Sequence, residues 1–176
     1  TTHLSTVSCT LAITRAEGIP INQEKVTAIY DKLLINIKEI VDKIQKNKDV
    51  VLYTEKFGIF NPSYHKQDSV LFKSILQLEL IRNIDKEGEE TDTFSTDKQT
   101  LDLYAKQGID IANLLLDYRM NTKLFGTYTK PFLNGSENCL ISSDGKLRAQ
   151  LSHCFTTTGR LNSDKPNLQN LPRRRN

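Results

Sequence analysis

Between Gln23 and Asn47 a set of apolar residues falls at Val26, Ile29, Tyr30, Leu33, Leu34, Ile37, Ile40, Val41 and Ile44, with Ala28 and Ile35 outside the set. Successive steps are three or one, never two, so a 3.6-residue repeat gathers all of them on one helical face. A stripe this long has to be covered, which commits the chain to a long helix packed against other elements. It suits a core face; a coiled-coil seam is the alternative, at the shortest run that defines one. Upstream, Gly18 and Pro20 break regular structure, and Asn22 suits the N-cap of this helix, about 23–47.

The rest of the chain reads more weakly. Gly58, Asn61, Pro62 and Ser63 make 57–68 a loop. Val70, Leu71, Phe72, Ile75, Leu76, Leu78 and Ile81 predict a second apolar helix over 69–82. The charged run 85–95 reads as a solvated loop. Thr96 and Gln99 fit a capping box for a helix 97–107 that stops at Gly108, and another helix follows over 109–125. After Pro131 the pattern changes. Cys139, Ile141, Leu147, Ala149 and Leu151 alternate with polar residues around Asp144-Gly145, a pair that predicts a hairpin with both central residues at positive φ. The fold expected is mainly α with a small β-hairpin, then a Pro/Asn-rich tail.

Composition excludes several classes. Hydrophobic residues are 38% and charged residues 26%, ordinary globular values. No run nears the roughly 20 apolar residues a membrane helix needs; Leu114-Leu115-Leu116 is stopped by Asp117. Residues 1–14 lack the basic start and apolar centre of a signal peptide, and Thr1 stands where an initiator Met would, so a piece of a longer chain or a processed product is expected. Cys9, Cys139 and Cys154 form no CxxC spacing. His153-Cys154 is two ligands where zinc needs four, or three plus water. Reduced thiols in an intracellular compartment and no metal site are expected.

The net charge of +3 hides an asymmetry. Residues 1–118 hold 14 Lys+Arg and 18 Asp+Glu; residues 119–176 hold 10 and 3. A cationic last third on a mildly acidic body suits an anionic partner, most naturally nucleic acid, or a solvated basic tail. Within it, residues 156–173 form a polar loop punctuated by Gly159, Pro166 and Pro172. Arg160, Asn167, Gln169 and Asn170 are planar donors able to meet base edges, and Thr156 and Thr158 can bond phosphate.

The order of these residues is specific. Thr156-x-Thr158-Gly159-Arg160-Leu161-x-Ser163-x-x-Pro166-Asn167-Leu168-Gln169-Asn170-Leu171-Pro172 closely resembles the TxTGRLSSxxPNLQNIP signature of family-A DNA polymerases. Tyr118-Arg119-x-x-x-Lys123-Leu124-x-x-Thr127-Tyr128 resembles that family's YRxxxKLxSTY segment. Asp144-Gly145-Lys146-Leu147 resembles the turn of its DGRLH hairpin. Ser95-Thr96, Gly18-Ile19 and Phe60-Asn61 are similar to weaker landmarks. Three positions depart: Asn162 stands for the usual Ser, Gly126 for a small polar residue, and Ser152-His153 for Asn-Gln.

The resemblance implies a helical thumb subdomain over 1–130, then the beginning of an α+β palm over 131–176. It implies a grip on primer–template DNA during 5′→3′ synthesis in replication or repair. Arg119, Lys123 and Thr127 would lie by the phosphates. Arg160, Asn167, Gln169 and Asn170 would lie by the minor-groove side, with Thr158 a DNA contact able to bond phosphate. The family's metal-binding carboxylates and nucleotide-gripping helix belong downstream, so no catalytic or metal-binding residue is expected here. This chain alone is not expected to polymerise. Mg2+ is expected for the intact enzyme, with the rest of the palm and the fingers as partners and no membrane. The compartment expected is the cytoplasm of a bacterium or a phage-infected host, or an organelle. A rival of another class is a free-standing helical nucleic-acid-binding module with a basic C-terminal arm.

Overall fold

A computed structural model describes residues 2–79, 81–84, 87, 89–153 and 160–170. Thr156, Thr158, Gly159, Leu171 and Pro172 of the signature lie outside the described residues. The chain is mainly helical, with small two-stranded antiparallel sheets. It forms two compact units, Lys32–Leu124 and Thr1–Asp31 with Phe125–Asn176. Among the described residues no helix is long and apolar enough to cross a membrane.

The long helix, α2 (Gln23–Lys46), follows its stripe, and Asn22 caps it by accepting the Lys25 N–H at 2.9 Å. In the unit Lys32–Leu124, Ile44 of that stripe is fully buried with Val50 and Tyr53 of α3 (Lys48–Phe57). Leu71 and Phe72, Leu101 and Tyr104 of α5 (Lys98–Lys106), and Ile111 and Leu115 of α6 (Asp110–Tyr128) complete this core. Each such side chain contributes about 1.5–3 kcal/mol by leaving water. Tyr53 meets Phe60 edge-on at 5.3 Å, and Phe72 meets Tyr104 at 5.0 Å, geometries that favour aromatic pairs.

Four expectations are corrected here. The loop predicted over 57–68 is shorter, because α4 (His65–Val70) already begins at His65. The helix predicted over 69–82 ends early. After α4 it widens into a π turn, Leu71–Ile75, and Gln77 sits at φ 52°, which helical backbone does not tolerate. The charged run 85–95 is not all loop: β3 (Glu90–Phe94) pairs with β2 (Arg82–Ile84), its Thr and Phe residues favouring a strand over a coil. At α5, the N-cap is Asp97 and not Thr96: its carboxylate accepts the Thr100 N–H at 2.8 Å.

In the other unit, α1 (Thr2–Glu17) was hidden from the sequence by its Thr/Ser-rich, weakly periodic pattern. Gly18, at φ 68°, turns the chain into β1 (Ile19–Pro20), which pairs with β4 (Lys146–Leu147). A Cβ at Gly18 would lie 3.1 Å from the Leu147 carbonyl oxygen. Gln23 bridges the start of α2 to a distant segment: its amide donates to Phe132 O and accepts from Asn134 N, both at 3.1 Å. The Asp144-Gly145 turn forms, but differently from the prediction. Ser142 N–H donates to Lys146 O and Gly145 N–H to Ser142 O, both at 2.9 Å. Gly145 alone takes positive φ, 76°. This is a three-residue loop ending in a left-handed glycine; Asp144 keeps a negative φ while its carboxylate binds Lys146 N–H and Arg148. The flanks meet at one bridge, Ile141 to Leu147, and Leu147 also pairs with Ile19 of β1.

Candidate nucleic-acid interface

Helix α6 buries Ile111, Ala112 and Leu115 on one face. One turn further, Arg119 continues that face, and its guanidinium turns inward. Nη2 donates to Asp68 Oδ2 at 2.5 Å and sits 2.7 Å from His65 Nδ1; Nη1 donates to the Thr96 carbonyl. Asp68 is 0% exposed, the Arg119 side chain 21%. Burial pushes the Asp68 carboxyl up to about 7, with Arg119's charge and hydrogen bond opposing it. Burial, then the Arg119 charge, lowers the pKa of His65. The neighbouring Tyr118 hydroxyl lies 2.7 Å from Ser63 Oγ. Tyr118 and Arg119 therefore fasten α6 to the α4 region and to the segment before α5. Lys123, one turn on, is exposed.

The other unit holds the remaining predicted residues. Thr127, in the last turn of α6, is exposed. Tyr128 donates its hydroxyl to Asn170 O at 2.8 Å. β5 (Gln150–Ser152) pairs antiparallel with β6 (Asn162–Asp164), which brackets Arg160 and Leu161 and leads into the loop 165–170. Arg160, Asn167, Gln169 and Asn170 are all exposed. Gln169 is nonetheless tied down: its Nε2 donates to Leu161 O at 2.7 Å, and its backbone N–H donates to Asn167 Oδ1 at 3.0 Å. Asn167, Gln169 and Asn170 thus share the loop that follows β6, while Arg160 lies on the segment that enters β6. Thr158 lies outside the described residues.

Sequence reasoning missed Asp68 and His65. The signal was faint: Asp68 stands among Lys66, Gln67 and Ser69, two residues before the apolar run Val70-Leu71-Phe72, and only its inward packing makes a cationic partner necessary. Asp144 forms a two-point ion pair with Arg148 at 2.6 and 2.9 Å, which holds its carboxyl down at about 2. Asp164 accepts the Lys165 N–H at 2.9 Å. His153 is half-buried, its Nε2 3.5 Å from Ser8 Oγ. Among the described residues no three His, Cys, Asp or Glu side chains gather where a metal ion would be held, so these residues do not fit a Mg2+ site.

The family model of DNA polymerase family A matches residues 27–176. The chain belongs to DNA polymerase family A. It is 36% identical over 143 residues to DNA polymerase I of Caldicellulosiruptor bescii, covering 81% of this chain and 15% of that protein. It is 29% identical over 164 residues to DNA polymerase I of Rhizobium leguminosarum, covering 92% of this chain and 14% of that protein. The chain thus spans about one-seventh of the length of these family-A relatives. Among solved structures it is similar to the POL domain of Pol1 from M. smegmatis in complex with DNA primer-template and dNTP. The TM-score there is 0.74 at 25% identity, covering 96% of this chain and 26% of that one.

Proposed function

We propose that this chain is the primer–template-gripping portion of a family-A DNA-directed DNA polymerase, holding duplex DNA during 5′→3′ synthesis. The observation that carries the reading is the loop Arg160–Asn170: it falls under the family signature and turns Arg160, Asn167 and Asn170 outward together. A polymerase must hold any sequence. Phosphates and the minor-groove acceptors shared by all base pairs are the features that permit this. Lys123 and Thr127 are assigned to phosphates, and Arg160, Asn167 and Asn170 to the minor-groove side. Thr158 is assigned to phosphate on its signature position. Arg119 is assigned mainly to shaping the surface, since its guanidinium is held by Asp68 and the Thr96 carbonyl; Gln169, like Asn167, is exposed and also shapes the loop through a hydrogen bond of its own. Residues 1–130 are assigned to the helical thumb, within which Lys32–Leu124 is a compact unit, and the segment from 131 on leads towards the palm. Mg2+ and the catalytic carboxylates are assigned to the intact polymerase, with its palm and fingers as partners; no step is assigned to a metal held here.

Titration of a fluorescein-labelled primer–template duplex with the chain, read by anisotropy over a range of salt, tests this. Binding with a negative log–log salt slope is expected, about 0.9 per phosphate neutralised. Arg160→Ala in the intact polymerase is expected to weaken template binding and extension with helix content unchanged. Unchanged extension in that variant counts decisively against the assignment.

A further inference from the structure

The loop that carries the outward side chains is closed by one buried hydroxyl. Ser163 is 2% exposed. Its Oγ donates to Pro166 O at 3.0 Å and accepts the Leu168 N–H at 3.2 Å. One oxygen thereby fills both its donor and an acceptor role, and joins the two ends of the turn 163–168. Its backbone is held in register by the pairing of Ser163 with Leu151. Between the stapled ends Lys165 is exposed at φ 45°, the left-handed region that a lysine rarely adopts unless its surroundings impose it. Beyond the turn, Gln169 Nε2 on Leu161 O and the Tyr128 hydroxyl on Asn170 O fix the far end.

We propose that Ser163 is a positioning residue for DNA binding, holding the 163–168 turn in its bound shape so that Lys165 makes a further phosphate contact beside Asn167. This rests on the DNA-gripping reading above. A turn ordered before contact avoids the ordering cost on binding. Removing the hydroxyl leaves the Leu168 N–H and the Pro166 carbonyl without their partner, and the turn relaxes.

The experiment compares Ser163→Ala, Ser163→Thr, Lys165→Ala and Asn167→Ala in the full 176-residue chain. Anisotropy gives affinity for a labelled primer–template duplex, and NMR hydrogen exchange gives protection of the Leu168 and Leu115 amides. Ser163→Ala is expected to bind about tenfold more weakly with an unchanged salt slope, since no cation is lost. Its Leu168 amide exchanges faster while Leu115 keeps its protection. Ser163→Thr restores affinity. Lys165→Ala weakens binding and lowers the slope by about one phosphate. Wild-type affinity in Ser163→Ala, with Asn167→Ala impaired, overturns the positioning role and leaves the DNA reading standing. Wild-type affinity in every variant overturns the DNA reading itself. If Ser163→Ala does not fold, Lys165→Ala decides: an unchanged slope overturns the proposal.

Discussion

The guanidinium of Arg119 lies 2.5 Å from a carboxylate oxygen of Asp68, and that carboxylate is wholly buried. A family motif residue that reads as a surface cation is therefore part of the interior of the unit Lys32–Leu124. Both charges gave up water to meet. Asp68 Oδ1 and Arg119 Nε are buried and take no hydrogen bond from or to the protein. Removing one partner strands the other. Asp68→Ala is expected to lower unfolding free energy by about 1–3 kcal/mol, the cost of a buried group losing its partner, since Arg119 is part-exposed and keeps the Thr96 carbonyl. Urea titration followed by circular dichroism checks it; a change below about 1 kcal/mol means the pair contributes nothing net.

The same carboxyl makes stability depend on pH in a stated direction. Its pKa is about 7 in the fold against an ordinary 3.8. Between these values the folded chain keeps a proton that the unfolded chain has released, so folding is favoured by acid. The contribution is complete below the unfolded value and is lost as pH rises through about 7. His65, with its pKa lowered, acts in the opposite sense: its contribution is present above the unfolded value of 6.5 and falls away below it. Its side chain is 66% exposed, so its effect is the smaller. Melting temperature should fall between pH 5 and 7.5, and Asp68→Asn should flatten that slope. An equally steep slope in the variant assigns the titration elsewhere.

Lys123 is the exposed cation one turn beyond that buried pair. Lys123→Glu is expected to weaken binding to every duplex sequence alike and to reduce the salt slope by about one or more. Parallel titrations on two unrelated duplexes separate this from base reading, because a loss confined to one sequence contradicts a phosphate role.

Gly18 has two independent reasons to be glycine: φ 68° and a carbonyl oxygen 3.1 Å from where a Cβ would sit. Gly18→Ala should destabilise by about 1–3 kcal/mol through strain and the loosened β1–β4 pairing. Thermal unfolding measures it, and a melting temperature equal to wild type removes the close approach from consideration.

How much was legible depended on how local the cause is. The stripe from Val26 to Ile44 and the cap at Asn22 are local, and α2 follows both. Phe94 and the threonines near it favour a strand, yet β3 becomes visible only when β2 arrives to pair with it. The Asp144-Gly145 pair announces a turn; the three-residue loop that forms needs positive φ at Gly145 alone, which the dipeptide does not reveal. At the candidate interface, the family motifs single out residues and are silent on which are already bound. Arg119 and Gln169 both read as ligands for DNA, and both are held by the protein, through atoms far away in sequence for Arg119 and nearby for Gln169.

The pairing of Ile19 with Leu147 also sets an order of assembly. During translation, Lys32–Leu124 is continuous and can close as soon as it clears the ribosome. Strand β1 cannot: its partner β4 is synthesised only after that unit, a contact of very long sequence separation and correspondingly slow formation. Nascent chains halted before Lys146 therefore carry a finished helical unit and a β1 strand still awaiting its mate.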